Sequence, residues 1–155
     1  MENRKNLSAA DKELMDCALS ALKNAYAPYS HFAVGAAVRT ATNRIYLGAN
    51  LENASYGLGI CAEVAAICAA NTAGDFNVIE IAVIGQSLSP ENLNMDSIVM
   101  PCGRCRQIIL EAGQVSGGGV KVIASNASLT MISKTDIEKL LPYGFGPRNL
   151  MRLDK

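Results

Sequence analysis

Two cysteine motifs, separated by a long stretch of chain, constrain most strongly how this sequence can fold. The first is Cys61-Ala62-Glu63 and the second is Pro101-Cys102-Gly103-Arg104-Cys105. Both stand at the start of a predicted helix, and thiols at positions i and i+3 of a first helical turn lie on one face. The Cys-x-x-Cys pair alone is compatible with half of a zinc site, with a redox pair, or with incidental residues of the helix.

A thiol from Cys61 would complete a three-cysteine site if the fold brings the two helix starts together. Zinc held by three protein ligands keeps a fourth position for water, which is the catalytic arrangement, whereas a structural site would want a fourth protein ligand. Glu63 would lie beside that water and could accept its proton, a role that a redox pair would not need. The two motifs together match the signature of zinc deaminases.

The balance of charge in the chain indicates which kinds of molecule it is expected to bind. The chain has 155 residues, with 14 basic and 14 acidic side chains, and we expect a single domain over residues 1–155. A balanced chain gives no electrostatic reason to bind nucleic acid or an anionic membrane. The expected partner is a small molecule or another copy of the chain.

The cysteine count bears on the compartment. There are five cysteines, an odd number, and the polar N-terminus shows no apolar targeting segment. A disulfide framework is therefore disfavoured, and a cytoplasmic location is expected. Outside the two motifs, Cys17 and Cys68 are predicted to be small buried apolar residues.

Hydrophobic periodicity and turn residues predict the order α-β-β-α-β-α-β-β-α. A helix capped by Ser8 runs until Pro28 ends it, and a long polar loop spans Gln86 to Met100. The remaining predicted segments are strands 32–40, 44–49, 78–84, 120–124 and 129–132, and helices 60–74, 102–113 and 133–141. The pattern predicts an α/β fold with three layers, in which helices cover both faces of a mixed five-stranded sheet.

Longer segments resemble the small, homotetrameric cytidine deaminases with a three-cysteine zinc site. Residues 25–32 (AYAPYSHF) and 34–37 (VGAA) are similar to their N-terminal signature, and residues 140–147 (LLPYGFGP) to their C-terminal one. Residues 48–57 (GANLENASYG) resemble their ribose-binding segment. The resemblance implies the cytidine-deaminase-like three-layer fold, a Zn²⁺ cofactor, and the cytosine nucleoside as substrate.

The resemblance also implies roles for individual residues. Cys61, Cys102 and Cys105 would bind zinc, and Glu63 would be the catalytic acid and base. Asn50 and Glu52 would hydrogen-bond the ribose 3′-hydroxyl, since an amide can donate and a carboxylate can accept. The other residues expected at the substrate are Phe32, against the pyrimidine ring, and Ala54, Tyr56, Ala62 and Phe145, some of them acting across a subunit interface.

The reaction implied is the hydrolytic deamination of cytidine and deoxycytidine to uridine and deoxyuridine, with release of ammonia, as in pyrimidine salvage. Glu63 would take a proton from the zinc-bound water, pass it to ring N3, and later protonate the departing amino group. The resemblance further implies a homotetramer whose sites are shared between subunits.

Two residues depart from the family pattern. Val64 stands where an arginine commonly offsets the charge of the three thiolates, and Arg104 stands between the two cysteines where a small residue is usual. We expect Arg104 to supply the compensating charge, helped by two helix N-termini. The combination of Val64 with Arg104 resembles blasticidin-S deaminases. Deamination of blasticidin S or of a modified cytosine nucleoside is therefore the alternative to deamination of cytidine.

Overall fold

One mixed sheet forms the centre of the molecule in this computed structural model, which describes residues 4–89 and 97–150. The five strands lie in the order β2-β1-β3-β4-β5. Their bounds are β1 Phe32–Thr40, β2 Ile45–Ala49, β3 Val78–Ser87, β4 Lys121–Asn126 and β5 Ile132–Asp136. Only β3 and β4 pair in parallel, and the other neighbours pair antiparallel. The predicted mixed five-stranded sheet is confirmed.

Helices cover both faces of this sheet. Their bounds are α1 Ala9–Leu22, α2 Ala62–Thr72, α3 Gly103–Val115, α4 Ile137–Leu140 and α5 Pro147–Leu150. Along a strand, alternate side chains point to opposite faces. In β1, Ala37 packs with the α1 side of the core, whereas Val38 packs with the side formed by α2 and α3. This arrangement confirms the three-layer prediction.

Two glycines let the helices lie close to the sheet. A Cβ on Gly35 of β1 would overlap the backbone of α1 at Ala18, and a Cβ on Gly48 of β2 would overlap the backbone of α2 at Ala62. Gly48 therefore sets the depth of the first turn of α2, which is the turn that begins at Cys61.

The first helix begins where the sequence predicts and ends earlier. The Ser8 hydroxyl accepts a hydrogen bond from the Asp11 amide at 3.1 Å, as expected for a helix N-cap. The prediction that Pro28 ends this helix is wrong, because α1 ends at Leu22. The Tyr26 amide donates instead to the Asn50 carbonyl at 2.9 Å, and this long-range pairing draws the chain away from the helix axis.

The predictions of a strand at 129–132 and of a helix at 133–141 are also wrong. Asn126 causes the first error, because its side-chain oxygen accepts hydrogen bonds from the Thr130 and Met131 amides, both at 3.0 Å, and closes a turn there. The last strand consequently starts at Ile132, and only Ile137–Leu140 remains helical before a second short helix, α5.

The segment predicted as a long loop lies between β3 and α3. Gln86 and Ser87 belong to β3, so the predicted loop begins later than expected. Residues 90–96 of that loop lie outside the described residues. Within the described ranges, no helix has the length and apolar character needed to cross a bilayer.

Candidate metal centre and substrate cavity

The fold brings three thiols from the two motifs together. The sulfur atoms of Cys61, Cys102 and Cys105 all lie within 4.8 Å of one another. Cys61 is the N-cap residue of α2, and Cys102 is the N-cap residue of α3. Neither side chain makes a capping hydrogen bond, so both sulfur atoms remain available to a ligand at the junction of the two helix starts.

The chemistry of this donor set fits a zinc ion. Burial raises the pKa of the Cys61 and Cys105 thiols above the ordinary value. Burial also acts on Cys102, but hydrogen bonds from the Cys105 backbone and from the neighbouring thiols lower its pKa. Three sulfur donors suit zinc, and its binding would displace the thiol protons. Cys61 and Cys102 line the cavity, which leaves a side of the cluster open to a substrate.

Glu63 is a carboxylate beside the three thiols. It lies in the first turn of α2, is 4% exposed, and lines the same cavity as Cys61. Burial raises the pKa of Glu63, and a hydrogen bond from Cys105 opposes the rise. A carboxyl group with a raised pKa exchanges protons more readily near neutral pH, as a general acid and base must.

One cavity of about 630 Å³ opens beside the thiols. Of the residues expected at the substrate, five line it: Phe32, Asn50, Glu52, Tyr56 and Ala62. Two carboxylates lie in its wall, and none of the lining residues in the described part of the chain is a lysine or an arginine.

Backbone contacts fix the two polar side chains expected at the ribose. The Asn50 side chain accepts from the Val34 amide at 2.8 Å and donates to the Phe32 carbonyl at 2.9 Å. It thereby holds the first residues of β1 in place, beside Phe32. Glu52 accepts from the amides of Tyr29 and Ser30 through one carboxylate oxygen, at 2.9 and 3.2 Å.

Four sequence-predicted residues do not line the cavity, and one of them, Cys105, is fully buried within the thiol cluster. Ala54 is exposed, and Phe145 is 60% exposed. Arg104 is exposed on α3, and its guanidinium donates to the Gly59 carbonyl at 3.3 Å. Arg104 therefore bridges the two segments that carry the cysteines.

Several wall residues were not predicted to have a role. Tyr29 and Ser30 orient Glu52 through their amides, and Val34, Ile60 and Val99 supply apolar wall. The Pro-Tyr-Ser run at 28–30 was the one sequence signal for these contacts. It could not identify them, because a backbone amide is present in almost every residue type. The prediction that Cys68 is buried is wrong, because it faces solvent on α2.

Known proteins are similar to this chain in sequence and in fold. The family model described as the cytidine and deoxycytidylate deaminase zinc-binding region matches residues 8–117. A cytidine deaminase of Mycobacterium tuberculosis is 44% identical over 135 residues, which are 87% of this chain and 89% of that protein. A crystal structure of cytidine deaminase from Burkholderia pseudomallei superposes with a TM-score of 0.74 at 36% identity, covering 90% of this chain and 100% of the other.

A more distant relative bears on the alternative substrate. A blasticidin-S deaminase of Bacillus cereus is 31% identical over 140 residues, which are 90% of this chain and 95% of that protein.

The matched family region contains both cysteine motifs, and the cytidine deaminases cover most of the chain at higher identity. This protein therefore belongs to the family of zinc-binding cytidine and deoxycytidylate deaminases.

Proposed function

We propose that this protein catalyses the hydrolytic deamination of cytidine and deoxycytidine to uridine and deoxyuridine, with release of ammonia. The observation that carries the proposal is the junction of three thiols with a buried carboxylate at one side of a nucleoside-sized cavity. Family membership supports the zinc-dependent deaminase chemistry.

Cys61, Cys102 and Cys105 hold the zinc ion in this account. When bound, zinc supplies a water molecule that is acidic enough to act as a nucleophile at neutral pH. Glu63 would accept one proton of the attacking water and deliver it to ring N3 of the cytosine while the water oxygen bonds to C4. Glu63 would then move the second water proton from that oxygen to the C4 amino group; the C4–N bond breaks, ammonia leaves and a C4 carbonyl remains, so that one water is consumed for each nucleoside deaminated.

The walls of the cavity favour a nucleoside over a nucleotide. Asn50 and Glu52 are proposed to bind the ribose 3′-hydroxyl, and the ring of Phe32 to pack against the base. Glu52 and Glu63 make the cavity electronegative, and no cation from the described residues lines it to meet a 5′-phosphate. A phosphorylated substrate would therefore be repelled rather than held.

Arg104 is proposed to offset the negative charge of the three thiolates. Its hydrogen bond to Gly59 holds the guanidinium beside the segment that leads to Cys61. Val64, at the family's usual arginine position, is buried and uncharged. Arg104→Ala should release zinc faster, whereas Arg104→Lys, which keeps the charge, should retain zinc nearly as well. Equal retention by wild type and Arg104→Ala contradicts this role.

A homotetramer with shared sites is proposed for the assembled enzyme. Large apolar side chains lie exposed to solvent at and around the mouth of the cavity: Tyr26, Tyr29, Leu51, Tyr56 and Leu58. An exposed patch of this kind is typical of a protein interface. Phe145 and Ala54, which lie off the cavity of their own chain, are proposed to complete the site of a neighbouring copy.

The setting we propose is pyrimidine salvage in the cytoplasm. All five cysteines are free, and a reducing compartment would keep the three clustered thiols available to the metal. The reaction would convert cytosine nucleosides into uracil nucleosides.

Blasticidin S is the second candidate substrate. The combination of Val64 with Arg104 and the relative in Bacillus cereus favour it. The ribose-binding segment and the higher identity of the cytidine deaminases favour cytidine.

Loss of the cytosine absorbance separates these substrates. Purified protein is incubated with cytidine, deoxycytidine, deoxycytidylate or blasticidin S, beside a Glu63→Ala control. We expect turnover of the two nucleosides only, and none in the control. Turnover of blasticidin S alone would contradict the ribose-binding roles, and efficient turnover of deoxycytidylate would contradict the argument from charge.

A further inference from the structure

Arg106 connects the metal-binding turn to a distant part of the chain. Its Nε donates to the Pro101 carbonyl at 2.8 Å, immediately before Cys102. Its Nη1 donates to the Leu140 carbonyl at 3.1 Å. The side chain is half-buried, and no carboxylate among the described residues forms a salt bridge with it. One guanidinium group thus joins two backbone segments that the sequence places far apart.

The second segment, residues 140–148, lies along α3, and we call it the C-terminal strap. Gln107 of α3 donates to the Phe145 carbonyl at 2.7 Å. Gln114, about two turns further along α3, accepts from the Arg148 amide at 3.1 Å. A Cβ on Gly146 would come within 2.5 Å of the Gln114 side chain, so the strap passes close to the helix surface.

These contacts connect the cysteine pair and the C-terminal strap to the same helix, α3. The N-terminal turn of α3 carries Cys102 and Cys105, and the following turns hold the strap that carries Phe145. Arg106 is the residue whose side chain contacts both the metal-binding turn and the strap.

We propose that Arg106 is a positioning residue of the metal centre, which couples zinc retention to the order of the C-terminal strap. Arginine suits this role because its planar group donates in two fixed directions at once. A lysine keeps the charge but lacks the rigid fork that reaches both carbonyls. The inference rests on the proposed function only in taking zinc as the metal and does not require turnover.

Zinc release tests one half of the coupling. In Arg106→Lys, transfer of zinc to a chromogenic chelator should be about ten- to a hundredfold faster than in wild type, the range typical of residues that orient metal ligands from outside. Arg148→Lys is the matched control, since Arg148 is exposed and only its amide holds the strap. The control should release zinc at the wild-type rate.

Hydrogen exchange tests the other half, and its measurement on wild type does not depend on any variant folding well. In wild type, removal of zinc should speed exchange of the Gly144 and Arg148 amides, which are hydrogen-bonded in the strap. In Arg106→Lys, exchange of these amides should be fast and equal with and without zinc. A merely destabilising change would speed exchange but would leave its dependence on zinc in place.

The outcomes separate this inference from the proposed function. Wild-type strap exchange that does not respond to zinc overturns the coupling, as does zinc release from Arg106→Lys within about twofold of wild type. A protein that binds no zinc at all overturns the proposed function as well. Faster release from Arg106→Lys, together with loss of the zinc-dependent exchange, establishes the coupling.

Discussion

At the scale of single residues, two buried acids, Glu63 and Asp11, differ in whether a cationic side chain pairs with them. Glu63 is buried with a raised pKa and has no cationic side chain as a salt-bridge partner among the described residues. Asp11 is also buried, but two lysines reach it: Lys121 at 2.7 Å and Lys134 at 2.8 Å. A buried acid without an ion pair is costly, which is why the proposal assigns Glu63 a task in catalysis.

Asp11 makes stability depend on pH in the acid range. Burial alone would raise its pKa, but the hydrogen bonds from Lys121 and Lys134 lower it from 3.8 to about 2. A group whose pKa is lower in the folded state stabilises that state above the unfolded pKa. The contribution is then lost as the pH falls from about 4 to about 2.

Asp11→Asn should therefore lower the free energy of unfolding by about 2 kcal/mol at pH 6. The difference between variant and wild type, measured by denaturant unfolding, should shrink as the pH falls below about 4. Because variant and wild type are compared at the same pH, any effect of acid on the cysteines acts on both proteins and cancels in the difference. A difference that stays constant down to pH 2 would contradict the assignment.

At the scale of secondary structure, the helix starts matter most for the site. The residue pattern predicts that Cys61 and Cys102 begin helices, because the apolar periodicity and Pro101 are local signals. The ends of α1 and β5 are not predictable in this way. The end of α1 depends on the pairing of Tyr26 with Asn50, which arises only after distant segments meet. The start of β5 depends on a local turn that the Asn126 side chain closes, and the apolar pattern of the sequence does not reveal that contact.

The same limit applies inside the candidate site. The choice of cysteine and glutamate follows from their chemistry, so their roles can be proposed from the sequence. The contacts of Tyr29 and Ser30 with Glu52 use backbone amides, which every residue except proline carries. Such contacts become visible only in the folded chain.

Gly48 and Gly35 offer a matched pair for testing how element packing sets the metal centre. Gly48→Ala would push α2 away from β2 at Ala62, and Gly35→Ala would push α1 away from β1. Each should destabilise the fold by about 1–3 kcal/mol, because the overlap is with backbone. Only Gly48→Ala should also speed zinc release, since α2 carries Cys61.

Denaturant unfolding and chelator-driven zinc release measure the two effects separately. If both variants lose zinc to the same extent, retention follows global stability, and the position of α2 has no special part in it.

At the scale of the whole molecule, the proposed tetramer makes each site dependent on a neighbour. Phe145 is exposed and does not line the cavity of its own chain. Glu63→Gln and Phe145→Ala chains should therefore complement one another when they are mixed, unfolded and refolded together. Random assembly places an intact Glu63 beside a neighbour's intact Phe145 in about a quarter of the sites.

Nucleoside turnover by the refolded mixture measures this complementation. The expected activity is about a quarter of that of refolded wild type, and well above that of either variant alone. Activity no higher than the average of the two variants would mean that Phe145 acts within its own chain or does not act at all.

The most direct test of the central claim joins metal content to ammonia release in one preparation. Wild type and Glu63→Gln are assayed for bound zinc and for ammonia released from cytidine. We predict one zinc ion per chain in both proteins, and a rate in Glu63→Gln that is lower by at least about a hundredfold. Ammonia release from protein found to carry no zinc, or a release rate that is undiminished in Glu63→Gln, would contradict the account.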